Sequence, residues 1–556
     1  MMQDYSLDRA DHVWTRKDYE RKIDYSDGAA VEQQMYAAVT NSTDVSVLSD
    51  ELESHIVDWP SHYAFSRKRA NLLRPFASLF KGKYILEPGC GAGSITRFLG
   101  ECGAYVYAVE PNRQRAKIAA ARCRDLENVS IFCDDIDHFQ TRRQFDGILL
   151  IGVLEYANRY GAEKQAALHF LTHLKNMLKQ DGFMITAIEN QLGLKYFSGF
   201  LEDHIGIMMH GINNNYQPGQ AATMGRKELI TLFETAGFAS NQLFLPFPDY
   251  KLPSVVFYPG FHEKNRTAGL HIENILSGIS SQDPQSYTPL FSLDKALPLI
   301  AQNELLYELS NSFCLFSAFE ETTVFDEHIL FTSYNTERKK EYCKETVFTQ
   351  QEGQVKVVRN YLCDRQPGME NYISFEPEEP VYPGVLHHVE LVKILNHNNW
   401  HIDQLQAWLL QWFACLKTEF IGQYSFSPYD LLQPGLPISG AYIDTIPVNL
   451  IRLKGTYRFI NREIKWPQDI ELGYLIFRAI YASLSRLSSM APPAEPRHAA
   501  VDHIMHALFA SLGIPITTTH LERYYATEAM LQSKLSGIPI SKINGKMTHI
   551  RVRPVN

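Results

Sequence analysis

The chain has 556 residues, 45 % hydrophobic and 21 % charged, with a formal net charge of −9. That length accommodates several domains with sizeable cores, and the acidic balance excludes a broad nucleic-acid or anionic-membrane surface. No apolar run reaches a membrane span, the opening Met1-Met2-Gln3-Asp4-Tyr5 does not read as a signal peptide, and the eight cysteines form no C-x-x-C pair; a cytoplasmic chain with free thiols and no metal is expected.

Residues 1–80 read as a mainly helical cap. Apolar residues recur at helical spacing from Ala29 to Val39 and again from Ser46 to Val57, and Asp58-Trp59-Pro60 is expected to stop the second helix. The cap serves either as a lid or as packing. At 83–93 an apolar strand, Tyr84-Ile85-Leu86, runs into Glu87 and a turn holding Gly89, Cys90, Gly91 and Gly93, and Ser94 to Leu99 opens a helix. Glycines let a ligand lie against bare backbone, and a helix start offers unpaired N–H groups. The order E-x-G-x-G-x-G departs from the dinucleotide fingerprint G-x-G-x-x-G, because an acid precedes the first glycine.

From 83 to 258 strands and helices alternate with short connections, which predicts a parallel sheet covered by helices on both faces. The second strand, Ala104 to Val109, ends in Glu110, where an acid can accept hydrogen bonds from two ribose hydroxyls; alternatively Glu110 and Pro111 simply open the next helix. The third strand, Val129 to Phe132, leads to Asp134, Asp135 and Ile136, and an acid there can accept an adenine amino group. The fourth, Phe145 to Ile151, is continuously apolar, as a strand buried on both faces should be, and runs into Gly152, Val153 and Leu154. Gly182 to Ile188 is the fifth strand.

These four matches, in order, resemble the class I S-adenosylmethionine (SAM)-dependent methyltransferases over residues 66–258. The resemblance implies a Rossmann-like seven-stranded α/β domain at 81–260 that binds SAM. Glu87 would anchor the methionine end, the glycines the turn, Glu110 the ribose and Asp135 the adenine, with Asp134 a near competitor. Gly152, Val153 and Leu154, with the stretch on to Tyr156, would border the sulfur end.

Residues 189–224 form a long insertion after the fifth strand, rich in Gly, His and aromatics. Long loops at that edge are usually functional. Asn190, Lys195, Tyr196, Asp203, His204 and His210 are candidate substrate contacts, and His204 beside Asp203 is the expected base for an acceptor hydroxyl. Trp59-Pro60-Ser61, Leu72-Leu73-Arg74-Pro75, Ile188-Glu189-Asn190 and Pro248-Asp249-Tyr250-Lys251-Leu252-Pro253 are similar to a narrower group, the large bacterial methyltransferases linked to surface polysaccharides such as O-antigen. That resemblance implies a sugar or glycan-linked acceptor, with glycosyltransferases as partners.

The rest reads as a helix-rich α+β accessory domain at 261–490, followed by a linker and helical tail at 491–556. Asp444, Asn449 and a hairpin before Asn461 resemble the catalytic layout of kinase-like phosphotransferases. The resemblance is broken where Asn461 stands in place of a metal-binding Asp and Arg359 in place of the expected Lys. Three functions remain open: a glycan methyltransferase, a bifunctional methyltransferase and phosphotransferase, or a scaffold subunit with a non-catalytic methyltransferase fold.

Overall fold

The computed structural model describes residues 4–19, 26–160, 165–283, 287–322, 324–364, 371–420, 424, 430–543 and 546–554. The chain folds into two units, one formed by 1–261 with 307–347 and the other by 262–306 with 348–556.

The first unit is built on a twisted sheet. Its strands are β1 (Tyr5–Asp8), β2 (Val13–Arg16), β3 (Tyr84–Pro88), β4 (Tyr105–Val109), β5 (Val129–Cys133), β6 (Phe145–Ile151), β7 (Leu178–Glu189), β8 (Ser240–Phe247), β9 (Val255–Phe257), β10 (Ser312–Ala318) and β11 (Ile329–Asn335). Their order across the sheet is β1-β2-β5-β4-β3-β6-β7-β10-β8-β9-β11. The pairs from β2 through β7 are parallel, and β10 lies antiparallel between β7 and β8. Chain order reverses at β3, which opens a crevice at the strand ends beside it.

The central strand β6 is buried at all seven positions. Its Gly147 is forced by neighbours: a Cβ there would come 2.6 Å from the Phe183 ring and 2.9 Å from Ile85. On one face Phe76 stacks against Phe316 at 6.2 Å and meets Phe244 edge-on at 4.8 Å, so β10 and β8 share one aromatic cluster.

Three expectations need correction. The seven-stranded core does not end at 260: its last strand, β10, comes from 312–318, beyond a segment that belongs to the second unit. Residues 1–80 are not only helical either, since β1 and β2 form a hairpin whose second strand extends the sheet alongside β5. Asp58 starts a helix instead of stopping one. It caps Trp59–Phe65, where its side chain accepts from the Ser61 N–H and Pro60 sits in the first turn.

The second unit is helical around small sheets, with helices Ile402–Phe420, Leu472–Leu484, Val501–Ser511 and Thr518–Ser536. Val385–Leu386, Leu450–Leu453 and Thr456–Phe459 form a three-stranded sheet. Asp444 is buried, and its carboxylate accepts the Glu463 and Ile464 N–H groups at 3.0 and 3.3 Å. Asn449 donates to the Asp444 carbonyl at 3.0 Å, and Arg359 donates to Asn461 Oδ1 at 2.8 Å. In this structure Asp444 braces the chain after the hairpin.

Candidate active site

The turn after β3 has left-handed backbone at Gly89, Gly91 and Gly93, with φ of 67°, 56° and 80°. Such angles favour glycine, and close neighbours reinforce the choice. A Cβ on Gly89 would lie 2.8 Å from Val153, and one on Gly93 2.8 Å from the Ala119 backbone. Gly89 and Cys90 both donate to the Val109 carbonyl, at 2.8 and 3.2 Å, which ties the turn to the end of β4. Cys90 is buried, and burial pushes its thiol well up.

Glu110 stands at that strand end. Its two carboxylate oxygens accept the Gly91 N–H at 2.8 Å and the Asn112 N–H at 2.9 Å. Glu87 is buried at the end of β3, where Thr96 donates to it at 2.6 Å. Burial pushes the Glu87 carboxyl up to about 8, against a smaller lowering by the Thr96 hydroxyl.

At the end of β5 the two aspartates part company. Asp134 is fully buried and accepts from Tyr5 at 2.5 Å and from Arg16 Nε at 2.9 Å, so the N-terminal hairpin holds it. Asp135 caps the turn Ile136–His138 and accepts the Asp137 N–H at 3.2 Å. Tyr19 donates to the Pro111 carbonyl at 2.7 Å, which brings the N-terminal segment onto this edge. The sequence alone carried no sign of that contact.

Beyond β6, Gly152 (φ 72°) passes so close to Tyr250 that a Cβ would lie 2.7 Å from its hydroxyl. Val153 rests on the glycine turn and Leu154 is buried. Next come Glu155 and, at the end of β7, Glu189, which are 1 % and 0 % exposed. His204 Nε2 lies 3.5 Å from Glu155 and 3.9 Å from Glu189, while its Nδ1 lies 3.2 Å from Glu202. Burial opposes charge on this ring, but the Glu189, Glu155 and Glu202 carboxylates outweigh it and raise His204 to about 11.

The expected pairing of His204 with Asp203 is not made. Asp203 faces Lys195 at 2.8 Å and Lys251 at 3.5 Å, and Tyr196 donates to it. Burial alone would raise the Asp203 carboxyl, yet the two lysines hold it far below the usual carboxylate range. The two residues lie in a turn closed by the Gly206 N–H on the Glu202 carbonyl at 2.9 Å, and their side chains reach different partners. Lys195 also pairs with Asp249 at 3.0 Å, and Lys251 with Glu189. Asn190 is spent on structure: it donates to the Glu308 and Ser310 carbonyls, both at 2.8 Å, beside β10. His210 is buried and meets Tyr216 edge-on at 5.3 Å, and Tyr216 in turn donates to Glu202 at 3.3 Å. Glu155 was expected only within the stretch at the cofactor's sulfur end, and Glu202 and Tyr250 were not anticipated as site residues.

Residues 86–184 match the family described as "Methyltransferase domain". They cover the glycine turn, Glu110, both aspartates and the start of the Glu155 cluster. Residues 86–184 form a SAM-dependent methyltransferase domain. A ubiquinone biosynthesis O-methyltransferase of Bradyrhizobium diazoefficiens is 31 % identical over 113 residues, which are 20 % of this chain and 41 % of that protein. A pavine N-methyltransferase of Thalictrum flavum is 28 % identical over 88 residues, 15 % of this chain and 25 % of that one. The chain thus spans less than half the length of these curated relatives. Among solved structures, a SAM-dependent methyltransferase from Archaeoglobus fulgidus is similar at 16 % identity and a TM-score of 0.28, covering 45 % of this chain and 91 % of that one. The N-methyltransferase NodS of Bradyrhizobium japonicum is similar at 19 % identity and a TM-score of 0.24, covering 32 % and 84 %. The cofactor of the methyltransferase domain is SAM, and the strand order of its sheet sets the glycine turn and Glu110 at adjacent strand ends.

Proposed function

We propose that the chain transfers the methyl group of SAM to a hydroxyl of a sugar or glycan-linked acceptor. The observation that carries this reading is the meeting of two sets of groups at the strand ends, the glycine turn with Glu87 and Glu110 on one side and Glu155, Glu189 and His204 on the other.

The first set suits the cofactor. Each Glu110 oxygen accepts one backbone N–H and keeps a lone pair for a ribose hydroxyl. The turn is a cradle that any Cβ would fill. Glu87 offers a buried carboxylate to the positively charged methionine end, and Asp135 is the acid left for the adenine once Asp134 is held by Tyr5 and Arg16. Bound SAM supplies an activated methyl group on a sulfonium. In-line transfer then needs alignment and a place for the hydroxyl proton. The Glu155–Glu189–His204 group would face that hydroxyl while its proton leaves to water, with Asp203 holding Lys195 and Lys251 in position around it.

A lining of carboxylates, lysines and tyrosine matches an acceptor with several hydroxyls. The same insertion exposes Leu192, Phe197, Leu201, Ile207 and Met208, which favours an acceptor with an apolar part, such as a lipid-linked glycan. Two measurements test the proposal. Glu110→Ala should weaken SAM binding at least tenfold by calorimetry, and unchanged affinity would remove the ribose role. Labelled SAM should methylate lipid-linked glycans or sugar nucleotides; label appearing only in acceptors without a sugar would overturn the glycan reading.

A further inference from the structure

We infer that Glu155, Glu189 and His204 form a site for a divalent first-row cation. One ligand atom from each residue lies within 4.8 Å of the other two. The His204 Nε2 separations of 3.5 Å from Glu155 and 3.9 Å from Glu189 are shorter than twice a metal–ligand bond of about 2.1 Å, so one cation can touch all three with small side-chain movements.

The second observation is unmet hydrogen bonding. Glu155 and Glu189 are 1 % and 0 % exposed, and the Oε2 atom of each is buried with no hydrogen-bond partner among the described residues. A buried carboxylate oxygen without a donor costs free energy, and a cation between the two carboxylates would remove that cost. The other atoms are already engaged in ways that orient the set. Lys251 holds Glu189 Oε1, Tyr250 approaches the same oxygen at 3.4 Å, and Glu202 faces His204 Nδ1 at 3.2 Å. A carboxylate behind the far ring nitrogen keeps a proton on Nδ1, and a cation at Nε2 would displace the proton there. Glu202 accepts the His204 and Ile205 N–H groups at 2.9 and 2.6 Å, so it is itself fixed.

One imidazole with two carboxylates suits Mn²⁺ and its neighbours better than a thiolate-loving ion. The expectation of no metal rested on cysteine spacing, and this set contains no cysteine. A further consequence rests on the methyl-transfer reading, although cation binding does not. A hydroxyl oxygen coordinated here gives up its proton to water, attacks the methyl carbon as the S–C bond breaks, and returns the bonding pair to sulfur.

The test is Mn²⁺ titration of the full chain, followed by electron paramagnetic resonance. The expected result is one tight site per chain with nitrogen coupling from a single imidazole. Glu155→Gln and Glu189→Gln should each weaken binding at least tenfold, and Glu202→Gln about tenfold. Nitrogen coupling in the unsubstituted protein keeps the test valid if a variant fails to fold. No bound Mn²⁺, or binding without nitrogen coupling, would overturn the inference. SAM calorimetry on the same sample separates the two readings. Mn²⁺ bound without SAM keeps the cation site and sinks methyl transfer, and SAM bound without Mn²⁺ does the reverse.

Discussion

At the scale of single residues, the glycine turn and the strand ends beside it were legible because their signals are local. Glu87, Gly89, Gly91, Gly93 and Glu110 sit where a short strand meets a turn, and backbone angles there leave few residue choices. The acceptor side was not legible in the same way. Of Glu155, Glu189, His204 and Lys251, His204 alone was singled out for chemistry, because no local pattern records that the four side chains meet. Glu87 makes a pH-dependent prediction. Burial lifts its carboxyl from 4.5 to about 8. Between those values the folded protein holds a proton that the unfolded chain lacks, so stability without cofactor should fall as pH rises from about 5 to 8. The cationic end of SAM favours the ionised carboxylate, so binding should release that proton and tighten over the same window. Calorimetry in buffers of different ionisation enthalpy would show it. Glu87→Gln should lose both slopes, and a variant that kept them would move the titrating group elsewhere.

Among the elements, helices with clear periodicity, such as Ile402–Phe420, appeared near their expected places. The N-terminal hairpin did not, because Tyr5–Asp8 and Val13–Arg16 are only four residues each and mix polar with apolar side chains. The strand that β2 joins, β5, pairs Ile131 with Val13 far along the chain, and no local pattern records it. The hairpin's main bond to the domain is Arg16 on Asp134, whose side chains are 19 % and 0 % exposed. Removing the cation leaves a buried carboxylate with only Tyr5 and the Asp135 N–H for partners among the described residues. Arg16→Ala should therefore cost about 3 kcal/mol in urea unfolding. Asp134→Asn in the same chain should recover much of that loss, since the buried charge has gone. Equal stability of the single and double variants would mean that the ion pair does not hold the hairpin.

For the molecule as a whole, the first unit is discontinuous in sequence, and this was the largest misreading. Strands after a glycine turn suggested a domain complete by 260, yet β10 pairs along seven residues of β7 and five of β8. All seven of its residues are buried, including Phe313, Leu315 and Phe316. Each large apolar side chain removed from water contributes about 1.5–3 kcal/mol, so losing the strand takes away a large part of a typical domain's net stability. It would also leave an open edge on β7 and β8. The two ends of the interruption meet: Tyr307 donates to the Tyr258 carbonyl and accepts the Phe261 N–H, both at 3.3 Å. A fragment of residues 1–261 should therefore aggregate and fail to bind SAM. The same fragment joined to 307–347 by a few glycines and serines should unfold cooperatively and bind SAM. Cooperative unfolding of 1–261 alone, with SAM bound, would show that β10 is dispensable and would return the boundary to 260.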